Sequence, residues 1–204
     1  MNIAIFASGN GSNAEQLIRY FNYELPGNAH GAGDDIRVEL VVCNRKEAGV
    51  YERAERLGVA AKHVTKTDFN DEDYMNDLLG SHGIEFVVLA GFLLMIPDYL
   101  LRRYPDRIIN IHPSLLPKYG GKGMYGNKVH EAVVASGDRE TGITIHMVSE
   151  ECDGGEIVFQ ATTAVEAGDT ASDVAGKVHA LEYKYYPEVV ERVIIDSISK
   201  CKIV

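Results

Sequence analysis

An asparagine and a histidine separated by one residue are the side chains of this sequence best suited to catalysis. The apolar run 107–111 predicts a buried strand that contains Asn110, and His112 directly follows this run. Pro113 excludes a helix directly after the strand. Because side chains alternate along a strand, the amide and the imidazole share one face. In open α/β sheets, ligands bind at the carboxyl ends of the strands, where this pair would lie.

A carboxylate that could complete this pair is Asp153, which precedes two glycines in a predicted tight turn. An amide, an imidazole and a carboxylate are sufficient to stabilise an oxyanion and to move one proton. Each residue alone has an ordinary alternative, since a strand histidine is commonly a core residue and an aspartate before glycines commonly forms a turn. The combined pattern Asn-x-His-Pro-Ser-x-x-Pro favours the catalytic interpretation.

A glycine-rich turn, Ser8-Gly9-Asn10-Gly11-Ser12-Asn13, joins the first predicted strand to a helix. Glycines let a ligand approach the backbone, and the free N–H groups of a helix start attract an anion, so the turn predicts a phosphate site. The glycine spacing resembles a dinucleotide fingerprint, but Asn44 and Arg45 stand where nicotinamide-binding proteins carry an acidic residue. In a second interpretation Ser12 caps the helix with Glu15 as its partner, and both can hold because a cap uses few donors.

Length and composition indicate an ordinary globular protein. The chain has 204 residues, is 46% hydrophobic and 25% charged, and fits a single domain over residues 1–204. A net charge of −10 argues against a broad nucleic-acid-binding face, and no apolar run is long enough to span a membrane. The three cysteines lack metal-type spacing, so we expect no metal site. The first residues predict a strand instead of a secretory signal, which favours the cytoplasm.

Strand-like and helix-like segments alternate along the chain. The predicted strands are residues 2–7, 37–44, 60–64, 86–90 and 107–111, followed without an intervening helix by 141–148 and 156–163. This order predicts an α/β fold with a doubly wound, mainly parallel, Rossmann-like sheet and an antiparallel C-terminal extension. Thr170 to Asp173 predict a capping box that opens a helix, and Pro187 is expected to break or restart that helix. Residues 27–35 predict a surface loop.

Four motifs together resemble the folate-dependent phosphoribosylglycinamide formyltransferase family. They are Ser8-Gly9-Asn10-Gly11-Ser12-Asn13, Leu89-Ala90-Gly91-Phe92, Asn110-Ile111-His112-Pro113-Ser114-Leu115-Leu116-Pro117 and Asp153-Gly154-Gly155. The resemblance covers essentially the whole chain in the same order. It implies a formyltransferase-like fold with an N-terminal phosphate-binding half and a C-terminal folate-binding half that do not separate.

The resemblance also implies roles for individual residues. Asn110, His112 and Asp153 would be the catalytic set, Gly11, Ser12 and Asn13 would hold a substrate phosphate, and Glu182 would bind ribose hydroxyls. The folate would contact Leu93, Leu94, Met95, Ile96, Asn110, Ser149, Glu150, Glu151, Cys152 and Asp153. The spacing of Glu182 relative to Val178 and Tyr185 places it beside the buried face of its helix.

The implied reaction transfers a formyl group from 10-formyltetrahydrofolate, a cosubstrate, to the amine of 5-phosphoribosylglycinamide in purine (IMP) biosynthesis. The expected partners are these small molecules, without metal, nucleic acid or membrane, and the chain would be a monomer or homodimer. The alternatives are a formyltransferase for another amine, a formyltetrahydrofolate hydrolase, or a non-catalytic phosphosugar-binding module.

Several segments depart from the family pattern. Leu94 stands where many members carry a basic residue, and residues 69–74 are acidic where members carry an arginine. Residues 127–137 and the glycine-rich loop before them, residues 120–126, also differ from commoner members. Lys122 in this loop either reaches the phosphate or is solvated, and the sequence leaves both possibilities open.

Overall fold

The computed structural model describes residues 1–23 and 36–201, so the loop predicted at 27–35 lies outside the described residues. Within these described residues, seven strands form one sheet in the order β3-β2-β1-β4-β5-β6-β7. The strands are β1 (Asn2–Ala7), β2 (Arg37–Cys43), β3 (Ala60–His63), β4 (Ile84–Leu89), β5 (Ile108–His112), β6 (Glu140–Met147) and β7 (Ile157–Ala164). The first five pair in parallel, whereas β6 pairs antiparallel with both β5 and β7. The doubly wound α/β sheet with an antiparallel extension is therefore confirmed.

Seven helices are described around this sheet. They are α1 (Ser12–Asn22), α2 (Val50–Arg56), α3 (Lys66–Phe69), α4 (Glu72–Ser81), α5 (Asp98–Arg103), α6 (Asn127–Ser136) and α7 (Ala171–Cys201). The alternation of side chains along β1 shows why two layers form. Ile3 and Ile5 enter the core cluster that contains residues of α1 and α7, whereas Ala4 and Phe6 enter the cluster that contains residues of α4 and α5. Both faces of the sheet are thus covered, as parallel sheets require.

The last helix corrects one prediction. The prediction that Pro187 breaks or restarts this helix is wrong, because α7 runs without interruption from Ala171 to Cys201 with Pro187 inside. A proline removes one backbone hydrogen bond and costs about 3 kcal/mol in an isolated helix. Tyr186, Val189 and Val190, on either side of it, are almost completely buried, and burying each such side chain contributes roughly 1.5–3 kcal/mol. Packing on the sheet therefore outweighs the local break.

The chain order creates a crevice at one end of the sheet. From β1 the chain winds outward through β2 to β3, and it then returns to β4 on the other side of β1. Helices that follow β1 and β4 consequently leave toward opposite faces, and a gap opens beyond the carboxyl ends of these strands. The glycine turn after β1, the segment after β4 and the end of β5 all border this gap.

Candidate functional site

A cleft of about 1160 Å³ occupies the gap at the carboxyl ends of β1, β4 and β5. Most of the predicted site residues line it: Gly11, Ser12, Asn13, Leu93, Leu94, Met95, Ile96, Asn110, His112, Ser149, Glu151, Cys152, Asp153 and Glu182. Glu150 is exposed and does not belong to the lining residues. The structure therefore brings together side chains from β1 to α7 that are far apart in sequence.

His112 ends β5 with both ring nitrogens facing oxygen atoms. Its Nε2 lies 2.8 Å from the carbonyl oxygen of Tyr119, so this nitrogen carries a proton and donates. Its Nδ1 lies 3.6 Å from Oδ2 of Asp153. The side chain is 6% exposed. A doubly protonated imidazolium keeps the bond to Tyr119 and faces the carboxylate with an N–H at ion-pair distance, whereas a neutral ring protonated on Nε2 would direct a lone pair at the carboxylate.

Asp153 is placed by the tight turn between β6 and β7. It has a left-handed backbone with φ 56°, which aspartate tolerates better than most residues. Its Oδ2 accepts a hydrogen bond of 2.8 Å from the N–H of Gly121 in the glycine-rich loop. Gly155 permits the turn, because a Cβ there would lie 1.7 Å from the carbonyl oxygen of Met147. The Asp-Gly-Gly motif is thus required both for the turn and for the position of the carboxylate.

A second histidine, His146, belongs to this group, although no sequence motif indicates it. His146 lies on β6 directly opposite Asn110 in the antiparallel register. Its Nδ1 donates to the carbonyl oxygen of Met147 at 2.9 Å, and its Nε2 lies 3.0 Å from Nδ2 of Asn110 and 3.7 Å from Oδ1 of Asp153. Burial lowers the pKa of His146, although the Met147 carbonyl and Asp153 oppose this effect. A neutral ring protonated on Nδ1 accepts from the amide of Asn110 through Nε2.

The glycine turn directs the N-terminus of helix α1 toward the cleft. Gly11 is the N-cap in a left-handed conformation with φ 79°, and a Cβ there would lie 2.5 Å from Cγ2 of Val50. No described side chain caps the helix. The alternative interpretation, that Ser12 caps α1 with Glu15 as its partner, is therefore wrong, because Ser12 is already the first helical residue and Glu15 pairs with arginines instead. The donors at this helix start remain available to a ligand.

Glu182 reaches the same turn from α7. It is 6% exposed, and its Oε2 accepts a hydrogen bond of 2.9 Å from Nδ2 of Asn13. Burial raises the pKa of this carboxyl, while the bond from Asn13 and the nearby His179 oppose the increase. Its predicted place beside the buried face of the helix is confirmed.

Several further groups line the cleft. Lys122 is among them, as are Arg45 and Lys128, which no sequence motif marks as site residues. His130 on α6 is buried, and burial, together with His179 and His112, lowers its pKa to about 4. These basic residues came from three separate segments, so only the folded chain identifies them as neighbours of one cavity.

No group of three or more His, Cys, Asp and Glu side chains in residues 1–23 and 36–201 is arranged to hold a metal ion. Within the same residues, no helix has the length and apolar character needed to cross a membrane.

Comparisons with known proteins agree with this arrangement. Residues 1–190 match the sequence profile of the formyl transferase family. The chain is 42% identical over 193 residues to the chloroplastic phosphoribosylglycinamide formyltransferase of Arabidopsis thaliana, covering 92% of this chain and 63% of that protein. It is 34% identical over 200 residues to the phosphoribosylglycinamide formyltransferase of Bacillus subtilis, covering 94% and 93%.

Solved structures lead to the same group. The phosphoribosylglycinamide formyltransferase of Streptococcus pneumoniae superposes with a TM-score of 0.79 at 34% identity, covering 95% of this chain and 98% of that one. The enzyme of that name from Bacillus halodurans gives a TM-score of 0.80 at 31% identity, covering 95% of both chains. The chain spans 63% and 59% of the length of its two plant relatives. By sequence and by fold, this chain belongs to the formyl transferase family.

Proposed function

We propose that the chain transfers a formyl group from 10-formyltetrahydrofolate to the amine of 5-phosphoribosylglycinamide, a step of purine (IMP) biosynthesis. The observation that carries this proposal is the meeting of Asn110, His112 and Asp153 in one cleft with the helix start at Gly11 and with Glu182. Phosphoribosylglycinamide formyltransferases among its relatives support the choice of substrates.

The cleft provides a consistent place for each part of the two substrates. The N–H groups of Gly11, Ser12 and Asn13 would hold the phosphate, and Glu182 would accept hydrogen bonds from the ribose hydroxyls. The apolar segment 93–96 and the segment 149–153 would hold the folate on the other side of the catalytic residues. A volume of about 1160 Å³ exceeds what one drug-sized ligand needs and suits two ligands side by side.

The folate cosubstrate supplies a formyl group whose carbonyl oxygen gains negative charge while the amine attacks. Asn110 would donate an amide hydrogen to this oxygen, and a protonated His112 would stabilise the same charge. As the bond between the formyl carbon and the folate nitrogen breaks, His112 would pass a proton to that nitrogen, and the proton lost by the attacking amine would restore the charge of His112. Asp153 would act through His112 by favouring its charged form. His146 would fix Asn110, because its neutral Nε2 takes one amide hydrogen and leaves the other for the oxyanion. None of these steps uses a covalent nucleophile.

The proposal also covers the location, assembly, partners and domain organisation of the protein. The chain would act in the cytoplasm, as a monomer or homodimer, with small molecules and without nucleic acid, membrane or metal. The phosphate-binding half and the folate-binding half would form a single unit over residues 1–204.

A turnover assay with purified protein tests the proposal. 10-Formyltetrahydrofolate and 5-phosphoribosylglycinamide are mixed with the chain, and formylated ribonucleotide is measured with and without the amine. We expect product only when both substrates are present. Release of formate without the amine would identify a hydrolase, transfer only to another amine would identify a different formyltransferase, and phosphosugar binding without turnover would identify a binding module.

A further inference from the structure

We infer that Arg53 is a positioning residue for the anion-binding turn and that it acts by fixing the backbone of Asn10. Arg53 lies on α2, outside the cleft, and it touches no predicted substrate contact directly. Its Nε donates to the carbonyl oxygen of Asn10 at 2.9 Å, and its Nη2 donates to Oδ1 of the same residue at 2.6 Å. These two bonds fix the backbone carbonyl oxygen and the side-chain oxygen of Asn10, which directly precedes Gly11.

The other end of the same guanidinium is anchored to α1. Nη1 of Arg53 binds Glu15, whose carboxylate also accepts from Arg56 at 2.7 Å and from Arg19 at 2.8 Å. Burial raises the pKa of Glu15, but the bonds from Arg19 and Arg53 and the charge of Arg56 outweigh this effect and lower it. Glu15 is therefore ionised near neutral pH and gives Arg53 a fixed partner. The planar guanidinium group of Arg53 thus links the glycine turn to helix α1, which begins directly after that turn.

The backbone around Asn10 explains why a fixed geometry matters. The turn is pressed against the start of α2, where the N–H of Val50 donates to the carbonyl oxygen of Gly9 at 3.3 Å. Gly11 has no room for a side chain on this side. Asn10 itself is exposed and lines the cleft. The guanidinium group of Arg53 therefore fixes the orientation of the peptide groups at the start of α1. This orientation determines the direction in which the N–H groups of Ser12 and Asn13 point.

This inference rests on the proposed function, because it assigns Arg53 to the phosphate end of the same site. Ribose 5-phosphate is the probe, and its binding to the full chain is followed through the amide NMR signals of Ser12 and Asn13. We expect Arg53→Gln to weaken binding at least about tenfold and to raise the KM for 5-phosphoribosylglycinamide similarly. The KM for the folate and kcat should change less than about twofold.

Matched variants separate positioning from general stability. Arg56→Gln removes one ion pair to Glu15 without touching Asn10, and it should leave binding unchanged. Arg53→Lys keeps a charge beside Glu15 but lacks the planar guanidinium group, so it should retain thermal stability and still bind weakly. Asn10→Ala, in an exposed turn that does not threaten folding, should weaken binding in the same direction.

The outcomes distinguish this inference from the function on which it rests. Unchanged ribose 5-phosphate binding in both Arg53→Gln and Asn10→Ala would overturn the role of Arg53. Absence of shifts at Ser12 and Asn13 in the unmodified chain would overturn the phosphate site and this inference together. The unmodified chain could formylate only another amine, and Arg53→Gln could still weaken the binding of ribose 5-phosphate. This combination would support the positioning role of Arg53 and reject only 5-phosphoribosylglycinamide as the acceptor.

Discussion

The side-chain amide of Asn110 lies with its nitrogen 3.0 Å from Nε2 of His146, and this contact determines which way the amide points. Nδ1 of His146 must donate, because it faces the carbonyl oxygen of Met147. The neutral ring can then only accept at Nε2, so the nitrogen of Asn110 turns toward it. The cleft therefore presents one free amide hydrogen in a defined direction.

Loss of this contact should reduce catalysis more than binding. We expect His146→Leu to lower kcat roughly ten- to hundredfold, the effect typical of removing a group that orients an active-site ligand. His146→Gln offers an oxygen that can accept from Asn110 and should retain more activity. Steady-state kinetics with both variants check this, and equal loss in the two would argue that His146 does not act through Asn110.

The sequence predicted the strands well and the contacts between them less well. All seven strands were located within two residues, since their apolar runs are short and bounded by turns. His146 was missed although it lies inside the predicted strand 141–148. A strand gives the face of a side chain but not its partner, and the role of His146 depends on the antiparallel register that sets it opposite Asn110.

Two errors have the same origin in tertiary packing. Pro187 does not break α7, because the flanking residues pack on the sheet. Ser12 and Glu15 fit the capping pattern, but Glu15 turns to three arginines, two of which belong to α2. A local sequence pattern indicates the conformation that a segment would prefer in isolation. In both cases the interactions with residues distant in sequence are stronger than this local preference.

The glycine turn should tolerate an added methyl group at Gly9 but not at Gly11. Gly11→Ala forces a side chain into a left-handed backbone beside Val50, so we expect a loss of roughly 1–3 kcal/mol in the free energy of unfolding. In Gly9→Ala the new methyl group meets no atom of the described residues within 4 Å, so this variant should unfold like the original chain. In Gly11→Ala, ribonucleotide binding should weaken sharply while folate binding changes little. Equal weakening of both ligands would point to a purely structural turn.

Glu182 should show opposite effects on binding and on stability. Glu182→Gln retains an acceptor for Asn13 but removes charge-assisted bonds worth roughly 1.5–3 kcal/mol, so the KM for the ribonucleotide should rise about tenfold. Because burial raises the pKa of this carboxyl, its folded form holds a proton more tightly than the unfolded chain. Its contribution to stability is then present below the unfolded pKa and lost as pH rises through the folded pKa.

At pH 8 the glutamine variant should therefore melt at a higher temperature than the original chain, with a smaller difference at pH 4. Thermal unfolding at the two pH values, together with the kinetic assay, tests both statements. A change in melting temperature without a change in KM would make Glu182 a structural residue.

His130 should make the protein less stable in acid. Its pKa falls from 6.5 to about 4 in the folded chain, so between these values the unfolded chain binds the additional proton. Stability is therefore full above pH 6.5 and decreases as pH falls toward 4. From pH 7.5 to pH 5 the contribution is about 2 kcal/mol. Urea unfolding of His130→Leu at both pH values should show a decrease smaller by that amount, and identical decreases in the two proteins would contradict the assignment.

His112 and Asp153 should behave as one unit. If Asp153 acts only by favouring the charged form of His112, then His112→Ala combined with Asp153→Asn should be little worse than the worse single variant. Rates that multiply in the double variant would show that the two residues act independently. The single variants and the double variant are compared at saturating concentrations of both substrates.

The rate of formyl transfer in one turnover by Asp153→Asn tests the account most directly. With both substrates saturating, the rate should fall by roughly 10²–10⁴, the usual effect of losing a positioned acid or base, while the affinity for each substrate stays within about threefold. Glu156→Gln, an exposed carboxylate three residues further along and outside the cleft, should transfer at the original rate. A rate in Asp153→Asn within about threefold of that in Glu156→Gln would contradict the catalytic role of the cluster.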